Sequence, residues 1–288
     1  MGNLRSKRDP AFQAVIGWIN AWPDPDKLKG YEEFNAYWNG ADLAGKKLGY
    51  QFEEFRMGRD VSPRRLDLIL ASRGIRALLL PPHHTEPVWN DFPWDKYFII
   101  KFGRSLHQPA SHLATADQVL NTVLAFERIS ALGYRRIGFV TSEPYMNIHG
   151  HLLEAGFRIA QQSVSATHRL PVLSLVGMNA TQRVKTLAAW VKKCRPDAIY
   201  TDVQHIRALL NKAGIKVPDD VAVAATTIRD TSADAGIDQH PDEIGRVGML
   251  FLHSLITDGA IGIPKILRQT MIQGSWVDGT SMPPMAVR

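Results

Sequence analysis

Ten histidines, a single cysteine and a basic amino-terminal cluster are the groups in this 288-residue chain best suited to ligate metal, attack carbon or hold polyanions. The histidines include two close pairs, His83 with His84 and His149 with His151. Neither pair has cysteine support or the spacing of a zinc site, so no metal and no cofactor is expected. Cys194 rules out a disulfide framework within the chain and fits a reducing compartment. Its neighbours Lys193 and Arg195 would favour a thiolate, but no base stands beside it, so a nucleophilic role is not expected. The sequence has no nucleophile elbow, phosphate loop or zinc motif, and an enzyme is not the expected class.

The formal net charge of +6 is spread along the chain rather than massed. Its densest patch, Arg5, Lys7 and Arg8, reads as a solvated leader and not as a nucleic-acid surface. No apolar stretch and cleavage site follow the first residues, and no run reaches the roughly 20 apolar residues of a membrane span. A soluble, cytoplasmic protein is expected.

The elements that must position any site follow from periodicity. From Phe12 onward short apolar runs alternate with longer amphipathic stretches, as in βαβ units of a parallel sheet. Strands are predicted at Ala14 to Ile19, Tyr50 to Phe55, Ala77 to Leu80, Tyr97 to Phe102, Ile137 to Thr141, Val172 to Val176, Ala198 to Thr201 and Val221 to Ala225. Helices are predicted at Tyr31 to Leu48, Pro63 to Arg73 with Ser62 as cap, Ala116 to Leu132, His151 to Gln161, Thr181 to Lys193, Asp202 to Ala213 and Glu243 to Thr257. The tail from Lys265 to Trp276 reads as strand-like pieces. About nine strands and eight helices suit two doubly wound sheets, or an eight-fold barrel, against which the strand-like tail argues.

Six segments add a resemblance. ALGYRRIGFVTS (Ala131 to Ser142) carries a glycine stop, an aromatic residue, two basic residues and a buried strand. GADLAGKKLGY (Gly40 to Tyr50), EAGFRIA (Glu154 to Ala160), RPDAIYTD (Arg195 to Asp202), AGIKVPDDVAVA (Ala213 to Ala224) and DQHPDEIGRVG (Asp238 to Gly248) accompany it. In this order and spacing they resemble the effector-binding core of lactose-repressor/galactose-repressor (LacI/GalR) transcription regulators over about Phe12 to Thr280. The resemblance implies an α/β periplasmic-binding-protein type I fold, two Rossmann-like subdomains with parallel sheets and a ligand in the cleft. It places chain crossings near Thr115, near Gln239 to Pro241 and near Pro264. The N-terminal subdomain would then hold residues 12–115 and 241–264, and the C-terminal one residues 116–240 and 265–288, after a linker remnant at 1–11.

Parallel sheets bind ligands at the carboxyl ends of their strands. By that geometry the ligand-binding candidates are Trp22, Tyr31, Phe34, His83, Arg104, His149, Thr201, Thr227 and Gln239. Aromatic faces suit sugar rings and polar groups fix hydroxyls. The family's pattern is broken at three of its usual ligand positions: Leu153 stands for an arginine, Thr201 for the asparagine of an Asn-Asp pair, and Thr227 for an aspartate. Asp202 keeps the carboxylate, read as a helix cap. The resemblance further implies a homodimer that binds a small-molecule effector and meets operator DNA only through an N-terminal helix-turn-helix headpiece missing here. A solute-binding protein of a transport system shares the fold and is the alternative.

Overall fold

The computed structural model describes residues 12–58, 61–83, 86–142 and 147–285, and the side chains of 147–150 also lie outside the description. Arg5, Lys7, Arg8 and His84 therefore fall outside it. The apolar run AVIGWIN forms β1 (Ala14–Asn20), buried toward its carboxyl end. After α1 (Pro25–Leu28) and α2 (Glu32–Lys47) the chain returns through β2 (Tyr50–Arg56) and α3 (Pro63–Ser72) to β3 (Ala77–Leu80), β4 (Phe98–Phe102) and β5 (His112–Ala116). Ser62 caps α3 by accepting the Arg65 N–H at 3.3 Å, and Pro63 opens its first turn, as the sequence predicts. Next come α4 (Gln118–Ala131), β6 (Ile137–Thr141), α5 (Asn147–Ala160), β7 (Leu173–Ser174), α6 (Ala180–Cys194), β8 (Ala198–Thr201) and α7 (Ile206–Lys212). The chain ends with β9 (Ala222–Ala225), β10 (Gly236–Asp238), α8 (Pro241–Thr257), β11 (Gln269–Ile272) and β12 (Ser275–Val277).

The chain divides into two units: unit 1 runs to Thr115 and resumes over Pro241–Met271, and unit 2 holds Ala116–His240 and the segment from Ile272 onward. The third passage between the units thus falls after Met271. Unit 1 carries a six-stranded sheet in the order β11-β5-β4-β3-β1-β2, and unit 2 one in the order β12-β10-β9-β8-β6-β7. The β1–β5 and β6–β10 pairings are parallel, and β12 runs antiparallel to β10. Two open sheets exclude the barrel.

Each sheet is covered on both faces, as parallel sheets require. In unit 1, Leu66 and Leu70 of α3 pack with Trp89, Phe92, Ile19, Leu78 and Ile99 on one face. On the other, α2 and α8 cross closely: a Cβ on Gly40 would lie 1.8 Å from the Asp242 carbonyl oxygen, and one on Gly245 2.1 Å from that of Tyr37. In unit 2, Phe126, Phe139, Leu153 and Phe157 form one apolar layer, and Leu187, Trp190, Ile199 and Leu210 the other.

Three differences from the sequence reading have local causes. The helix predicted from Asp202 begins at Ile206, because the Asp202 carboxylate accepts the Ser142 N–H at 2.8 Å and the Thr141 hydroxyl instead of capping. The strand predicted over Val172 to Val176 shortens to Leu173–Ser174 at the sheet edge. β5 and β10 were not predicted, since both are short and mix polar residues with apolar ones.

Candidate functional site

An open parallel sheet leaves a crevice at the carboxyl ends of its strands where the strand order reverses. In unit 1 that reversal lies at β1, flanked by β2 and β3, and in unit 2 at β6, flanked by β7 and β8. Side chains at these ends are held in place by strand termini and can vary without disturbing the core.

In unit 1 the last residue of β1, Asn20, organises the turn that follows. It is wholly buried. Its amide oxygen accepts the Trp22 N–H at 3.2 Å, and its amide nitrogen donates to the Pro25 carbonyl at 2.9 Å and to Glu54 Oε1 at 2.7 Å. Burial alone would raise the Glu54 pKa, but hydrogen bonds from Asn20 and Lys29 and the charges of Lys29 and Arg56 hold it below the usual carboxylate range.

The Trp22 indole N–H donates to the Pro82 carbonyl at 2.9 Å, joining the ends of β1 and β3. His83 makes a second link. Its Nε2 accepts the Ala21 N–H at 3.0 Å and its Nδ1 lies 2.7 Å from the Pro81 carbonyl. A ring nitrogen that accepts carries no hydrogen, so the proton sits on Nδ1 and the imidazole is neutral in this arrangement. The rings of Trp22, Tyr31 and Phe34 gather around this end, with centroids 5.5 Å (Trp22–Tyr31), 5.8 Å (Trp22–Phe34) and 5.3 Å (Tyr31–Phe34) apart.

Arg104 follows β4. Its loop is tied to His83, whose N–H donates to Ser105 Oγ at 2.9 Å, and its guanidinium donates to Gln269 Oε1 at 2.7 Å. Beneath it the buried Lys101 ammonium donates to the Leu106 carbonyl at 2.8 Å. Burial, aided by the Arg104 charge and opposed by Glu86, lowers the Lys101 pKa to about 8. Trp22, Tyr31, Phe34 and His83 are thus brought together, and Arg104 joins them through its loop.

In unit 2 the Thr201 hydroxyl donates to the Val140 carbonyl at 2.6 Å and accepts the Val203 N–H at 3.0 Å, so it links β8 to β6. Beside it Asp202 holds Thr141 and Ser142, and burial raises its pKa to about 6 against the hydrogen bonds that lower it. Gln239 is buried. Its amide nitrogen donates to the Thr226 carbonyl at 2.7 Å and its oxygen accepts from Gln118 Nε2 at 3.0 Å. Thr226 in turn donates its N–H to the Thr201 carbonyl at 2.9 Å. Thr227 Oγ1 accepts the Arg229 N–H at 3.4 Å.

Thr201, Thr227 and Gln239 therefore share one neighbourhood, while the His149 side chain lies outside the described residues. Leu153 is wholly buried in the apolar layer under α5, so this chain closes to solvent the position where the resemblance implies an arginine. Sequence reasoning missed Asn20, Gln118 and the inter-strand role of Asp202. Only Asn20 left a signal, a polar residue ending an apolar strand.

The model of the periplasmic binding protein-like domain family matches residues 126–276, more than half of the chain. This chain belongs to that family. No curated protein sequence matches it. Among solved structures similar to this member of the family, the transcriptional regulator CelR in complex with cellobiose is 17% identical over 95% of this chain and 86% of its own, with a TM-score of 0.68. A LacI family transcriptional regulator from Enterococcus faecium with bound ribose is 15% identical over 94% and 100%, at 0.63. The Escherichia coli transcriptional repressor ascG is 13% identical over 94% and 100%, at 0.60.

The family match and these neighbours show the type I α/β fold of two parallel-dominated sheets. The neighbours are of regulator and binding-domain type. Among the described residues no helix is long and apolar enough to cross a membrane, and no group of three or more His, Cys, Asp and Glu side chains is placed to hold a metal ion.

Proposed function

We propose that this chain is the effector-binding, dimerising core of a cytoplasmic LacI/GalR-type transcription regulator, and that it performs no catalysis. The observation that carries this reading is the order at both strand-order reversals, where buried hydrogen bonds hold the side chains that a ligand would meet. Trp22, Tyr31 and Phe34 suit the apolar faces of a sugar or sugar derivative, and the neighbours solved with cellobiose and ribose favour that class. Arg104, His149, Thr201, Thr227 and Gln239 are the polar contacts proposed with them, and His83 orders the aromatic end.

Leu153 in the core and the engaged Thr201 hydroxyl point to an effector recognised differently from one gripped by an arginine fork. Binding would favour one of two states and so alter, through the dimer, how a helix-turn-helix headpiece meets operator DNA.

Thermal-shift screening against sugars, sugar acids, sugar phosphates and purines tests the reading. A ligand at 100 times its dissociation constant adds about 2.7 kcal/mol. A sugar-class hit whose shift Tyr31→Ala removes is expected, with the ligand recovered unchanged after incubation. A hit indifferent to Tyr31→Ala, turnover of the ligand, or a monomer by light scattering at micromolar concentration would each overturn part of the proposal.

A further inference from the structure

Unit 1 contains a cavity of about 460 Å³ on the α2 side of its sheet, within the size range of small-molecule sites. Its walls follow from two periodicities. The β1–β2 register sets Trp18 beside Glu54, and Phe52 lies two residues earlier on the same face of β2. From α2, Phe34 and Trp38 stand one turn apart and line the same space. Trp38 meets Trp18 at 74° with ring centroids 5.3 Å apart, and Phe52 at 73° and 5.7 Å. The three rings therefore form walls instead of a stack. Gly45 makes room behind them, since a Cβ there would come within 2.3 Å of Phe52 Cε2 and drive that ring inward.

The charge at the cavity is arranged unequally. Glu54 is anchored from within by the Asn20 amide at 2.7 Å. Lys29 Nζ lies 3.1 Å from Glu54 Oε2, but the Lys29 side chain is 60% exposed against 16% for Glu54. Arg56 reaches the same oxygen at 3.5 Å while also pairing with Asp26 at 2.9 Å. An exposed lysine held by one ion pair contributes little and turns to solvent readily. The carboxylate stays where it is.

We propose that this cavity binds a small alkylated ammonium, whose charge replaces the Lys29 ammonium beside Glu54 and whose methyl groups lie against Trp18, Trp38 and Phe52. Ring faces attract a cation through their quadrupole, and a fixed carboxylate adds a Coulombic attraction that an uncharged ligand cannot use. Lys29 serves as the resident cation until the ligand arrives. The inference stands apart from the regulator reading, since of the cavity residues only Phe34 is also a proposed effector contact.

Calorimetric titration of the whole chain with choline, and with its carbon isostere bearing a tert-butyl group in place of the trimethylammonium, tests this. Choline is expected to bind about tenfold or more tightly than the isostere. Lys29→Met should strengthen choline binding by removing a competitor, and Glu54→Gln and Trp38→Leu should weaken it, with circular dichroism confirming the folded state. Absence of choline binding, equal affinity for the isostere, indifference to Glu54→Gln, or weaker binding in Lys29→Met would overturn the proposal. So would variants that alter only self-association, which would make the cavity an interface between copies. If Trp38→Leu fails to fold, the Lys29 and Glu54 variants decide alone.

Discussion

The two units repeat one strand order and differ in what stands where the order reverses. In unit 1 the end of β1 is closed by an indole, two further rings and a histidine whose geometry requires the neutral form. In unit 2 the end of β6 is closed by a carboxylate, with hydroxyls and a pair of carboxamides close by. The shared topology fixes where a crevice can lie, but the chemistry offered there comes from a few side chains that each unit sets independently. The aromatic end should respond mainly to loss of volume, and the polar end to protons and unpaired groups.

The largest effect expected from breaking this contrast is in unit 1. Trp22 is buried, so Trp22→Ala should cost about 3–5 kcal/mol in urea unfolding. A cost below about 1 kcal/mol would mean that the aromatic end packs too loosely to hold a ligand face.

Asp202 supplies the proton-dependent counterpart. Its pKa in the folded protein, about 6, lies above the ordinary 3.8, so the native state binds the extra proton between these values. The contribution of this group to stability is fully present below about pH 4 and is lost as pH rises through about 6, by no more than about 3 kcal/mol. Melting temperatures at the two ends of that window should diverge less in Asp202→Asn than in the wild type; equal divergence would assign the pH dependence elsewhere.

Gln239→Ala comes next, at about 1–3 kcal/mol, because it leaves the buried Gln118 amide without its partner. Adding Gln118→Ala should cost less than the sum of the single changes, and strict additivity would show that the pair is not coupled. Thr201→Val comes last at about 1–2 kcal/mol: the side-chain volume is kept, but the Val140 carbonyl and the Val203 N–H each lose the hydroxyl. It also sharpens the comparison: a diminished ligand shift assigns Thr201 to the effector, and an undiminished one leaves it joining β6 to β8.

Much of the fold was legible because its central strands are short apolar runs bounded by turn residues. Ala77–Leu80, Ile137–Thr141 and Ala198–Thr201 occupy the residues predicted for them, each buried throughout. β5, with the sequence HLATA, was not, since its burial comes from β4 and from β11, which lies far along the chain. The aromatic part of the candidate site was legible for the same reason as the strands. Trp22, Tyr31 and Phe34 follow β1 closely, and a rule about strand ends finds them. Asp202 was misread because a carboxylate before an apolar stretch has the local signature of a helix cap, while its actual partners, Thr141 and Ser142, stand at the end of another strand, β6.

The sequence by itself determined the alternation of strand and helix, the Ser62 cap and Pro63 opening of α3, and, with a single cysteine, that no disulfide forms within these residues. These depend on residue type and on neighbours within a turn or two. Tertiary structure decided which polar groups are engaged with one another. It buried Leu153, joined Gln118 to Gln239, set Glu54 between Asn20 and Lys29, and turned Asp202 from a cap into a link between strands. Hydrogen bonds and desolvation act over a few ångströms in space, whatever the distance along the chain, so a local pattern cannot specify them.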